Sequence, residues 1–186
     1  MPYLFISLAV LLGFVFSASA WSKVRSAAAQ RAFAASLRPL LPNGTSAAVA
    51  VAVTVAEVGV ALGLCVTVVA VLADLPGARP LGIASMLLAG VLCAALAIGV
   101  AVGIRRQLGL RCACFGTSER ALSGRHVVRN AMLFAAAVAG LATVAAGPTG
   151  PVTAGGALLG LFSGTVVALI LVRLDDLVDL FAPAGG

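Results

Sequence analysis

The chain has 186 residues, 62% of them hydrophobic and only 10% charged, with a mean hydropathy of +1.16, which excludes a water-soluble globule and places it in the membrane class. Its net charge of +6 and pI near 10.1 would suit a nucleic-acid binder. Here, however, the basic residues flank apolar runs, where they act as topology signals and contacts to membrane lipids, so no nucleic-acid partner is expected. The single Lys against eleven Arg, with Ala, Val, Leu and Gly dominant, points to a GC-rich bacterial genome. The expected location is therefore the bacterial plasma (inner) membrane, crossed several times.

Crossing about 30 Å of hydrocarbon takes about 20 apolar residues at about 1.5 Å rise each. The first candidate span is residues 3–21, with Tyr3 and Trp21 as interfacial aromatics. Residues 4–16 followed by Ala18-Ser19-Ala20 also have the look of a signal peptide, but no Lys or Arg precedes the apolar run, so it reads as a retained span. Residues 22–42 carry Lys23, Arg25, Arg31 and Arg38 with Val24, Ala27, Ala28, Phe33, Leu37 and Leu40 near helical spacing, an amphipathic helix lying on the membrane. Asn43-Gly44 makes a turn into a second span, 46–73, and residues 74–80 turn into a third, 81–104. A polar loop, 105–124, leads to a fourth span, 126–146, with Ser123 as a candidate cap; Gly147 to Pro151 breaks the chain before a fifth, 154–172. No repeat and no soluble domain is visible, so 1–186 reads as a single all-α membrane domain. Small residues in every span permit close helix–helix approach.

With five spans, eleven of the twelve Lys and Arg fall on one side of the membrane and Arg79 alone on the other. The positive-inside rule puts the 105–124 loop in the cytoplasm. That loop holds Cys112 and Cys114. A disulfide between cysteines one residue apart closes a smaller ring than Cys-x-x-Cys and is more easily reduced, which suits transfer of a disulfide better than storage. Arg111 beside the pair, with Arg105, Arg106 and Arg120 in the same loop, favours the thiolate. The same spacing also suits a soft metal such as Cu(I), or a purely structural role.

The run from Gly109 to Gly116, with Cys112-Ala113-Cys114-Phe115-Gly116 at its heart, precedes a short polar stretch and then Val127-Val128-Arg129-Asn130 opening an apolar helix. This pattern resembles the MauE family of membrane proteins, named for methylamine utilisation and related to the DoxX/DoxD-like four-helix membrane proteins. An opening span ending in Ser22-Lys23, a short helix with Phe33, and a second span with Glu57, Gly59 and Gly63 fit as well. The resemblance covers about residues 4–146. Where the family usually has Gly between the cysteines, this chain has Ala113. The resemblance implies a four-helix transmembrane bundle plus a fifth span, and a role in forming or handling disulfides of exported proteins. It implies exchange with a thioredoxin-like partner or an exported thiol protein and, by analogy with other membrane thiol oxidants, a quinone as electron acceptor.

Glu57 is the one ionisable residue well inside a span, where a carboxylate faces the bundle interior or a wet cavity. It reads either as a structural partner of Lys23 or Arg129, or as a functional group, a proton acceptor for thiol exchange or part of the lining of a quinone pocket, where burial would keep it protonated and able to donate. Arg129 and Asn130 enter the fourth span near the cysteine loop, to hold that loop or to polarise a quinone carbonyl. His126 is the only histidine and would be needed for a Cys-Cys-His metal site; none is expected. Cys65 and Cys93 read as small apolar residues within spans. The expected function is a thiol–disulfide oxidoreductase or disulfide-formation factor with Cys112, Cys114 and Glu57 as its reactive groups. The rivals are a non-catalytic membrane assembly factor and a Cu(I)-handling protein.

Overall fold

The computed structural model describes residues 2–42, 44–107, 124–147 and 152–174. These residues form α1 (Pro2–Val24), α2 (Ala27–Leu37), α3 (Ser46–Leu72), α4 (Ala78–Arg105), α5 (Gly124–Ala146) and α6 (Ala154–Val172), with a 3-10 turn at Arg38–Leu40 and no strand. All but α2 are long and apolar enough to cross a membrane. The 11 residues of α2 extend only about 16 Å.

The expected spans are all present, and two boundaries differ in an instructive way. The first helix does not stop at Trp21 but runs on to Val24, so Lys23 belongs to its last turn. The amphipathic segment is correspondingly shorter. Ser26 caps it by accepting from the Ala29 backbone N–H at 3.1 Å, and the Arg38-Pro39-Leu40 turn ends it.

Short connections make α3 antiparallel to α4. The end of α3 is a Schellman turn: the Leu75 N–H donates to the Ala70 carbonyl at 2.8 Å and the Asp74 N–H to the Val71 carbonyl at 3.4 Å. Such a turn needs a left-handed residue, usually glycine. Here Asp74 takes that place with φ of 50°, a role to which Asp is among the better suited side chains.

Helix α1 is the centre of the assembly. It packs against α3, α5 and α6, while α4 packs against α3 and α5, so that α1, α3, α4 and α5 close a ring with α6 outside it against α1. The core within the ring is made by Ile6, Leu12, Val60, Leu64, Met86 and Ala89, all at most 1% exposed. Outward faces carry large apolar side chains such as Val55, Leu62, Val91, Leu159 and Phe162, as lipid contact requires.

Helix α6 is held to α1 by close backbone approach. A methyl group at Gly160 would lie 3.0 Å from the Tyr3 carbonyl oxygen, and one at Gly164 would collide with that of Ser7. Two polar pairs frame the contact, Tyr3 Oη with Thr153 Oγ1 at 2.9 Å and Ser7 Oγ with Ser163 Oγ at 3.0 Å. Such interhelical bonds are common devices in apolar surroundings.

Candidate functional site

The up-and-down order of the helices brings the C-terminal ends of α1 and α4, the N-terminal ends of α3 and α5, and the whole of α2 to one end of the bundle. Almost every buried polar side chain of interest lies in that half. Lys23 arrives from the last turn of α1 and is 1% exposed; Glu57 arrives from α3 and is fully buried. Lys23 Nζ donates to Glu57 Oε2 at 2.8 Å and to Oε1 at 2.9 Å. Four residues before Lys23, and so on the same face of α1, Ser19 accepts from Nζ at 2.7 Å and donates to Glu57 Oε1 at 3.0 Å. The ammonium also reaches the Ser19 carbonyl at 3.3 Å.

Helix α2 packs over this group. Its one buried residue, Phe33, presents its ring to the ammonium with 4.9 Å between Nζ and the ring centroid. The negative face of the ring adds attraction worth about 2 kcal/mol where the cation is desolvated. Further along, Thr54 Oγ1 donates to Gln30 Oε1 at 3.4 Å, a second link between α2 and α3.

Of the two cations expected for Glu57, Lys23 is thus the one at ion-pair distance. Both oxygens of Glu57 accept from that one ammonium. Sequence reading missed Ser19 and the position of Phe33. The spacing of Ser19 and Lys23 by one helical turn was the available signal; the contact of Phe33 depends on how α2 folds back.

The opening turns of α5 supply the second polar group. His126, Arg129 and Asn130 are 7%, 3% and 6% exposed. His126 Nδ1 has no hydrogen-bond partner among the described residues. Cys93 is 1% exposed in the core of α4, and Cys65 faces outward from α3; both are free thiols in apolar helices, as small apolar residues would be. Cys112, Cys114 and the expected cap Ser123 lie outside the described residues. The helices that bracket the cysteine loop are described. α4 ends at Arg105 and α5 begins at Gly124, both at the end of the bundle that holds Lys23 and Glu57. No cluster of three or more His, Cys, Asp or Glu able to hold a metal occurs among the described residues.

A family model described as methylamine utilisation protein MauE matches residues 1–143, about three quarters of the chain. A methylamine utilization protein MauE from Paracoccus denitrificans is 32% identical over 182 residues, covering 97% of this chain and 90% of the relative. The chain belongs to the MauE family. The match begins at the first helix and takes in the Lys23–Glu57 group, the cysteine loop and α5 up to residue 143. With five apolar helices, this MauE-family chain is a multi-pass membrane protein. No solved structure matches it.

Proposed function

We propose that this MauE-family protein is a thiol–disulfide exchange factor of the bacterial plasma membrane, with Cys112 and Cys114 as its reactive pair. The observation that supports this reading is a convergence at one end of the bundle. The loop carrying the pair leaves α4 and enters α5 where His126, Arg129, Asn130 and the Lys23–Glu57 group are buried. Polar groups in apolar surroundings are costly, and here they are concentrated at the end of the bundle where α4 ends and α5 begins.

In the proposed cycle a thiolate of a thioredoxin-like partner, or of an exported thiol protein, attacks one sulfur of the Cys112–Cys114 disulfide. A mixed disulfide forms, and the partner's second thiolate resolves it, leaving the partner oxidised and Cys112 and Cys114 as thiols. Two electrons and two protons then pass to a quinone, which becomes the hydroquinone as the disulfide re-forms. Arg129 and Asn130, at the start of α5, are the groups proposed to orient the loop or a quinone carbonyl. A DoxX-like four-helix architecture fits the ring of α1, α3, α4 and α5, with α6 as an addition.

The engagement of Glu57 by Lys23 favours a second reading, in which the protein is a membrane assembly factor whose cysteines fix a loop against a partner. Acid-quenched alkylation of the protein in its own cells, with a Cys112→Ser/Cys114→Ser control, separates the two. The exchange reading expects an oxidised pair, or a mixture that shifts when respiration is blocked. A pair that stays reduced in all conditions leaves the assembly reading in possession.

A further inference from the structure

The opposite end of the bundle holds a cavity of about 710 Å³, within the range of about 300–1,000 Å³ usual for small-molecule sites. It lies where the α3–α4 turn meets the start of α1 and the end of α5. Phe5, Leu72, Val144 and Val152 give it apolar walls, and Asp74 and Arg79 supply one charge of each sign. The two charges do not pair with each other. Arg79 Nη2 donates to the Ala145 carbonyl near the end of α5, which fixes the guanidinium beside the cavity. The Asp74 carboxylate makes no ion pair or hydrogen bond with any described residue.

Depth in the membrane identifies what reaches this cavity. The 27 residues of α3 and 28 of α4 extend about 40 Å and 42 Å, against about 30 Å of hydrocarbon and about 40–45 Å with the headgroups. The turn joining them therefore sits at headgroup level. We propose that this cavity binds the headgroup of a zwitterionic aminophospholipid of the phosphatidylethanolamine type, with Arg79 on the phosphate and Asp74 on the primary ammonium. The apolar walls then take the first segments of the acyl chains.

The charge pattern selects among lipid classes. A guanidinium offers several N–H donors to phosphate oxygens, and a carboxylate accepts from an ammonium that carries three donors. A phosphatidylglycerol headgroup offers Asp74 only neutral hydroxyls, whose hydrogen bonds to a carboxylate are weaker than those of an ammonium. A choline headgroup has no N–H to give, and quaternary ammonium sites are built from aromatic cages. Phe5 is the one aromatic ring among the described lining residues. The backbone adds a useful feature: Asp74 holds its place in the left-handed region, so Asn and Gly are the substitutions the turn tolerates.

The test is native mass spectrometry on the full chain, purified and delipidated in detergent. Palmitoyl-oleoyl phosphatidylethanolamine, phosphatidylcholine and phosphatidylglycerol are supplied singly at equal concentration. The expected result is one ethanolamine lipid bound roughly tenfold more tightly than either of the others, the size of one hydrogen bond to a charged group. Asp74→Asn lowers ethanolamine-lipid binding to the choline-lipid level, and Arg79→Gln weakens all three. Asp74→Gly, which relieves the backbone, gives the same loss in a chain at least as stable and answers for any folding defect of the Asn variant. Equal binding of the three lipids, a preference for phosphatidylglycerol, or an ethanolamine preference untouched at Asp74 overturns the assignment.

Discussion

Removal of one partner from the Lys23–Glu57 pair should be among the most damaging single changes the bundle can suffer. Lys23 is 1% exposed and has both carboxylate oxygens, Ser19 Oγ and the Phe33 ring around its ammonium. Glu57→Leu leaves that ammonium buried with a hydroxyl and a ring, and Lys23→Met leaves the carboxylate with Ser19. An uncompensated buried charge costs about 3–5 kcal/mol. At about 2–4 °C of Tm per kcal/mol for a chain of this size, each single variant should melt roughly 6–20 °C lower. The double variant Lys23→Met/Glu57→Leu removes both charges and keeps the volumes similar. It should recover most of the loss, since apolar replacement of a buried pair is often neutral or stabilising by about 1–4 kcal/mol. The assay is thermal unfolding of the four proteins in one detergent, followed by size exclusion with fluorescence detection. A double variant that loses the sum of the two single losses would refute the reasoning, because it would show that the two side chains do not act on each other.

Phe33→Ala removes the one buried side chain of α2. It should cost about 3–5 kcal/mol of local packing. Amide exchange should rise through α2 and leave the α4–α5 contact unchanged; a rise spread over all helices would show that α2 is not a separate cover. Ser7→Cys/Ser163→Cys replaces a pair of hydroxyls 3.0 Å apart, so an oxidant should join α1 to α6 by a disulfide. Adding Gly164→Leu, whose side chain would meet the Ser7 carbonyl, should abolish that bond. In a chain otherwise free of cysteine, Asp74→Cys should react with an impermeant thiol reagent on intact cells and Gln107→Cys only after permeabilisation. The reverse pattern would place the cysteine loop outside, against the distribution of Arg and Lys.

The helices were legible in the sequence because each is a run of apolar residues long enough to cross the bilayer, a property that needs no knowledge of neighbours. The end of α1 was placed three residues short at Trp21, since Ser22-Lys23 reads as the first polar residues beyond the membrane. What carries the helix on is Glu57, 34 residues later, which makes a buried Lys tolerable. The same dependence hid Phe33. Its aromatic character was visible, but its contact with the ammonium exists only because Ser26 starts α2 where it does. Asp74 and Arg79 looked like ordinary turn residues, and their shared cavity arises where four helix ends meet. The placement of α6 was legible as a span but not as a partner of α1 through Gly160 and Gly164, because a row of small residues does not say which helix it faces.

These contacts also narrow what Glu57 can do. Lys23 and Ser19 take three of the roughly four lone-pair sites of the carboxylate and leave one on Oε2. The Phe33 ring lies over the ammonium that holds it. Displacement of α2 would uncover this group, and α2 is a short helix with one buried side chain, suited to open locally. The pair thus joins α1 to α3, with Phe33 of α2 packed over its ammonium. In the proposed cycle, movement of α2 is what would open Glu57 to a reacting group, at the end of the bundle where α4 ends and α5 begins.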